Sequence, residues 1–193
     1  TPLSASVVYA SQSPDMLDAQ YTDKLPGYTY AREGHPNADA LAARIDALED
    51  VSGGIITGSG MAAITAAIMG FLQRGDHIIA GDQLYGRSLR LLQNDLSRFG
   101  IEVSFCDATN AVNVQKALRT NTKMVLVEAV SNPTLRVADL NGLSTLLGPE
   151  NILLAIDNTF TTPLALRAVD HGADIIIHSV TKLLAGHSDV TLG

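Results

Sequence analysis

The sequence predicts an α/β protein: a largely parallel β-sheet with helices on both faces. Short apolar runs alternate with segments of helical period along most of the chain. Runs such as Ile175-Ile176-Ile177 are solid rather than alternating, which suits strands covered on both sides. Polar residues follow these runs directly, and ligands of such sheets gather at the carboxyl ends of the strands.

Residues 1–37 are rich in Tyr, Pro, Gly, Ser and Asp, lack periodicity, and predict an extended N-terminal arm. Residues 38–193 predict the α/β domain. It opens with a helix over residues 38–50, where Leu41, Ile45 and Leu48 recur at helical spacing. Thr57-Gly58-Ser59-Gly60 introduces an Ala-rich helix over 59–73, and residues 77–80 form a short strand. An amphipathic helix over 87–99 stops at Gly100, and a strand follows at 101–105. Helix 112–120 then precedes strand 124–128, and helix 137–147 precedes strand 152–156. A helix over 163–171, with Pro163 in its first turn, leads to a strand over 173–178.

A chain of 193 residues, 46% hydrophobic, can bury one substantial core. Its net charge of -7 argues against nucleic acid or an anionic membrane as partner, since both need a basic face. No apolar run approaches the roughly 20 residues that span a bilayer, and residues 1–20 lack a secretory pattern. The single cysteine, Cys106, provides no internal disulfide framework and fits a reducing, cytoplasmic setting. The last residues, Asp189-Val190-Thr191-Leu192-Gly193, read as the middle of an element, so a larger protein is expected to continue beyond them.

Lys182 follows the last apolar run, between Thr181 and Leu183-Leu184-Ala185. Apolar company would lower its pKa and make the amine a nucleophile, whereas a lone lysine is usually a solvated surface group. Ser179 and Thr181 offer hydroxyls suited to a phosphate. Asp157 ends the most apolar run and needs a cationic or donor partner, which a pyridinium nitrogen, a salt bridge or a helix cap would each supply. Thr57-Gly58-Ser59-Gly60-Met61 lets backbone N–H groups approach an anion at a helix start, or is simply a tight turn capped by Ser59. It has neither the dinucleotide fingerprint nor the P-loop ending. Tyr85 could stack on a planar ligand or pack ordinarily. Glu128, then Ser131-Asn132-Pro133, follow another run. His77, His171, His178 and His187 match no zinc spacing, so no metal is expected.

Together these residues resemble the Cys/Met metabolism (trans-sulfuration) family of pyridoxal-phosphate enzymes. The stretch His178-Ser179-Val180-Thr181-Lys182-Leu183-Leu184-Ala185-Gly186-His187-Ser188-Asp189 is similar to the family's signature around its Schiff-base lysine. Asp157-Asn158-Thr159 lies 25 residues upstream of that lysine, and the resemblance runs from about Tyr28 to Gly193. It implies an aspartate-aminotransferase-like (fold type I) large domain, with a C-terminal domain that this chain does not include. It implies pyridoxal 5'-phosphate as cofactor, with Lys182 as its Schiff-base residue and proton carrier. Asp157 would face the pyridine nitrogen, and Tyr85 would stack on the ring and assist proton transfer. Gly60 and Met61 would offer N–H groups to the phosphate, and Ser179 and Thr181 their hydroxyls. Asn132 would sit near the phenolic oxygen. Tyr30 and Arg32 match a Tyr-x-Arg motif that reaches the phosphate of a neighbouring subunit, which implies a dimer with shared active sites and usually a tetramer.

Three departures stand out: Val130 replaces a proline before Asn132, Gly86-Arg87 follows the stacking tyrosine, and His35-Pro36-Asn37 replaces Asn-Pro-Thr. Arg87 stands where a methionine γ-lyase often carries cysteine, and its positive charge would suit a substrate's distal carboxylate. The implied activity is that of a lyase or transferase of sulfur amino-acid metabolism, of the cystathionine γ-synthase/γ-lyase type. It would carry out γ-elimination or γ-replacement on cystathionine or O-acylhomoserine-type amino acids. O-acylhomoserine sulfhydrylase, methionine γ-lyase and cystathionine β-lyase are the enzymatic alternatives. A non-catalytic doubly wound nucleotide-binding module, or an inactive structural homologue, is the alternative of another class. The first lacks its glycine fingerprint, and the second has no reason to keep Lys182, Asp157 and Tyr85 together.

Overall fold

The computed structural model describes residues 2–193 and separates into two compact units, Thr1–Ile56 and Thr57–Gly193. In the first unit, the stretch expected to be extended contains a helix, α1 (Pro14–Tyr21). Ser13 Oγ accepts the Met16 N–H at 3.2 Å and Pro14 starts the first turn, so a capped start is built into the local sequence. None of its residues is buried, which explains the missing periodicity. Helix α2 (Pro36–Glu49) starts earlier than expected because His35 Nδ1 accepts the Asn37 N–H and Pro36 sets the first turn. It ends at Asp50, whose φ of 60° is left-handed.

The second unit holds a five-stranded sheet of order β2-β1-β3-β4-β5, from β1 (His77–Gly81), β2 (Glu102–Cys106), β3 (Thr122–Glu128), β4 (Leu153–Asp157) and β5 (Ile175–Ile177). Every pairing is parallel. The solid apolar runs are explained by alternation into two cores. Ile78, Ala80, Met124 and Leu126 face one core, with Ile64 and Ile68 of α3 (Gly60–Phe71). Ile79, Val125, Val127 and Ile156 face the other, with Val114 of α5 (Ala111–Ala117) and Leu143 and Leu147 of α6 (Leu140–Leu147). Side chains of successive strand residues point to opposite faces, so a strand covered on both must be apolar throughout.

Three helical segments of this unit differ from expectation in ways that local contacts explain. The segment expected as one helix over 87–99 is α4 (Gly86–Arg90), then a π turn (Leu91–Asp95) and a 3-10 turn (Leu96–Phe99), and it ends on left-handed Gly100. Its winding varies while Leu92 and Leu96 both stay in the core. Helix α6 begins at Leu140 because the Asp139 carboxylate accepts the Gly142 N–H at 3.1 Å and Val137 is drawn into a bridge with Val130. The helix expected over 163–171 is interrupted. Only α7 (Thr162–Ala165) and a 3-10 turn (Ala168–His171) form, because Leu166 is extended and the Asn158 side-chain amide holds its carbonyl at 2.8 Å. No helix among the described residues is long and apolar enough to cross a membrane.

The chain runs from β1 out to β2 and then returns to the other side of β1 for β3. That reversal is where open parallel sheets collect ligands.

Candidate active site

Glu128 and Asp157 end neighbouring strands in register, and Asp157 pairs in turn with Ile177 of β5. Two carboxylates therefore lie side by side at the carboxyl edge of the sheet, the edge from which the Tyr85, Asn132 and Lys182 loops leave.

Asp157 Oδ1 accepts the Thr159 N–H at 3.0 Å and its hydroxyl at 2.5 Å, leaving Oδ2 for a further donor. Burial raises the Asp157 carboxyl above the usual carboxylate range, while the Thr159 bonds and nearby His178 pull the other way. Thr159 Oγ1 also accepts the Ser179 N–H at 2.8 Å. One hydroxyl thus links the Asp157 carboxylate to the loop that carries the lysine.

Ser179 meets the start of α3. Ser59 Oγ accepts the Ala62 N–H at 3.1 Å, so Ser59 is the helix cap. The next N–H groups, of Gly60 and Met61, have no acceptor within the helix. A Cβ on Gly60 would stand 2.6 Å from Ser179 Cβ, so only glycine allows the helix start to approach Ser179 this closely. Thr181 Oγ1 is differently engaged: it donates to the Leu192 carbonyl at 3.1 Å and accepts the Leu192 N–H at 3.0 Å.

Lys182 lies in the turn after β5, where its N–H donates to the Ser179 carbonyl at 3.0 Å. Its side chain is exposed and neighbouring Leu183 is 59% exposed, so the burial expected from its apolar company is not found. The reason is local: the turn carries these residues off the end of β5, beyond both cores.

Tyr85 precedes α4 with its ring half exposed, and its N–H donates to Glu128 Oε1 at 2.6 Å. Asn132 is exposed, precedes a cis proline bond, and its N–H donates to Glu128 Oε2 at 3.3 Å. Burial pushes the Glu128 carboxyl up to about 7, with the Asp157 charge adding to it and the two N–H bonds opposing it. Arg136 pairs with Asp107 and, at 3.7 Å, with Asp82. These residues and Glu128 line a crevice at the switch point. Arg87 is exposed in the first turn of α4.

The second unit thus brings Gly60, Met61, Tyr85, Asn132, Asp157, Ser179, Thr181 and Lys182 to one edge of the sheet or to the helix start beside it. Tyr30 and Arg32 belong to the first unit. There the Arg32 guanidinium lies 4.6 Å over the Tyr30 ring and pairs with Glu33 at 3.0 Å. Sequence reasoning missed the bridging part of Thr159 and the double grip of Glu128. The short Asp157-x-Thr159 spacing was the available sign of the first, since a carboxylate commonly binds the N–H two residues on.

Fold and site define an α/β domain whose strand ends gather a lysine, a buried carboxylate and an anion-seeking helix start. The chain belongs to the Cys/Met metabolism PLP-dependent enzyme family, whose model matches residues 1–193. An L-methionine gamma-lyase of Fusobacterium nucleatum subsp. polymorphum is 38% identical over 193 residues, covering 100% of this chain and 49% of the relative. A cystathionine gamma-lyase of Bacillus subtilis is 42% identical over 167 residues, covering 86% of this chain and 44% of the relative. Among solved structures, a candidate O-acetylhomoserine (thiol)-lyase of Campylobacter jejuni superposes with a TM-score of 0.94 at 29% identity. The match covers 100% of this chain and 47% of that one, which carries an N'-pyridoxyl-lysine-5'-monophosphate. The fold is therefore that of the fold type I large domain, as expected from the resemblance. The chain spans about half the length of the curated relatives it matches.

Proposed function

We propose that the protein is a pyridoxal-phosphate-dependent lyase or transferase acting on cystathionine or O-acylhomoserine-type amino acids by γ-elimination or γ-replacement. The observation that carries this reading is the continuous path from the helix start at Gly60, through Ser179 and Thr159, to Asp157. An anion cradle at one end and a buried carboxylate at the other match a ligand with a phosphate and a basic ring nitrogen. The close approach at Gly60, which a Cβ would block, brings the Ser179 side chain against that helix start.

On this reading the N–H groups of Gly60 and Met61 and the Ser179 hydroxyl hold the phosphate. Thr181 joins them by giving up its bond to the Leu192 carbonyl. Asp157 Oδ2 would accept from the protonated ring nitrogen, a cationic partner that would favour the charged carboxyl. Tyr85 covers one face of the ring and Asn132 faces its phenolic oxygen. Lys182 Nζ would hold the cofactor covalently and would serve as the base that moves protons at substrate Cα and Cβ. Pyridoxal phosphate, when bound, supplies the electron sink for charge developing at Cα. Arg87 offers a positive charge to a distal carboxylate. Tyr30 and Arg32 serve the phosphate of a second subunit, so the working unit is a homodimer, assembled further into a tetramer in the cytoplasm.

Methionine γ-lyase is the second reading, supported by relatives of that name that match the full chain, as a cystathionine gamma-lyase relative also does. Arg87, in the position where a methionine γ-lyase often has cysteine, weighs against that reading.

Borohydride treatment of the purified protein, followed by peptide mapping, tests the central claim. The expected result is a visible absorption band lost on reduction, with the cofactor fixed to the peptide containing Lys182. A protein without cofactor, or a label on another lysine, would overturn the reading. Cystathionine, methionine and acylated homoserines, assayed for keto acid, ammonia and thioether, then separate the substrates.

A further inference from the structure

Glu128 grips two loops at once. Its Oε1 takes the Tyr85 N–H from the loop after β1, and its Oε2 takes the Asn132 N–H from the loop after β3. Those strands are the pair at which the sheet order reverses. The side chains carried on the two gripped residues are the two proposed to cover the ring and to face its phenolic oxygen.

We propose that Glu128 is a positioning residue. Its single carboxylate sets the separation of the Tyr85 and Asn132 loops, and so the walls between which the cofactor ring is held. This rests on the pyridoxal-phosphate reading above.

The chemistry requires a carboxylate. An ionised carboxylate presents two oxygens that only accept, matching two N–H donors. Glutamine has one accepting oxygen, and its NH2 would face a donor. Aspartate is one methylene shorter and cannot keep both bonds from the same backbone position. Burial and the neighbouring Asp157 work against the charge on Glu128, and the two N–H bonds work for it. A half-buried carboxylate beside another persists where such donors hold it. The group is thus matched to its two backbone partners rather than to a salt bridge.

The test compares wild-type holoprotein with Glu128→Gln. Two readouts are taken: the dissociation constant for pyridoxal phosphate and the visible circular dichroism of the bound cofactor, which reports how the ring sits. Losing one charge-assisted bond predicts affinity weakened by about ten-fold or more, with altered visible dichroism and unchanged far-ultraviolet dichroism. Unchanged affinity and visible dichroism would overturn the proposal. A second measurement on the wild type does not depend on the variant folding. The Tyr85 and Asn132 amides are expected to resist hydrogen exchange, and exchange at the rate of an open loop would also overturn it. A wild type that binds no pyridoxal phosphate sinks the proposed function instead, and the exchange result still decides whether Glu128 holds the two loops.

Discussion

The Thr159 hydroxyl donates to Asp157 and accepts from the Ser179 backbone, so it is saturated from two sides by groups that need different partners. Valine has the same shape and neither capacity. Thr159→Val is expected to cost about 1–3 kcal/mol in a denaturant titration, because the Ser179 N–H loses its acceptor and the Asp157 carboxylate a donor. Thr159→Ser should recover most of that loss. Equal stability of all three proteins would show that solvent replaces the hydroxyl. At this scale the sequence was informative about residue types and silent about pairings. Lys182, Asp157 and Tyr85 stood out by their positions after apolar runs, but nothing in one dimension states that Thr159 meets Ser179, twenty residues on. The exposure of Lys182 escaped for a related reason, because adjacent leucines in sequence do not surround a side chain that a turn carries away from them.

Among the elements, strands were the more legible. A strand buried on both faces is an unbroken apolar run, and all five emerge from the sequence within a residue or two of their observed ends. Helix boundaries were set by single polar contacts, the Asp139 cap and the Asn158 hold on Leu166, which periodicity does not register. The opposite end of the sheet has its own polar cluster. His77 of β1 is fully buried, with Nδ1 2.8 Å from Thr122 Oγ1 of β3 and Nε2 2.9 Å from Ser104 Oγ of β2. Burial lowers its pKa, Arg119 lowers it further, and Glu102 partly offsets this. A histidine with a depressed folded value leaves the unfolded chain holding more protons at mildly acidic pH. Its contribution is therefore fully present above the ordinary value near 6.5 and is lost as pH falls through the folded value. Glu128 acts with the opposite sign, since its raised value makes the folded state the better proton binder between 4.5 and about 7. Urea midpoints of wild type and His77→Gln, compared from pH 7 to pH 5, isolate the first contribution. The variant should lose less stability across that range, and parallel curves would assign no titrating part to His77.

For the whole molecule, the proposed sharing of active sites between subunits makes a prediction that one subunit alone does not. Lys182→Ala and Arg32→Ala should each be strongly impaired as pure proteins. When they are unfolded and refolded together, mixed dimers would place both lesions in one site and leave the other intact. Random pairing then restores up to about a quarter of the wild-type activity. No recovery in a mixture shown to contain mixed dimers would confine Arg32 to its own subunit.

The all-parallel sheet also bears on how the chain reaches its native state. Parallel neighbours cannot be joined by a tight hairpin, and the β1–β3 pairing must wait while the intervening β2 and two helical segments find their places. Contacts of such long sequence separation are slow to form, because the entropy of closing each loop is lost before the contact repays it. The Gly60–Ser179 approach joins the first helix of this unit to the loop after its last strand. A nascent or partly folded chain therefore lacks the pocket, and capture of the cofactor should mark the final stage of folding rather than guide its beginning.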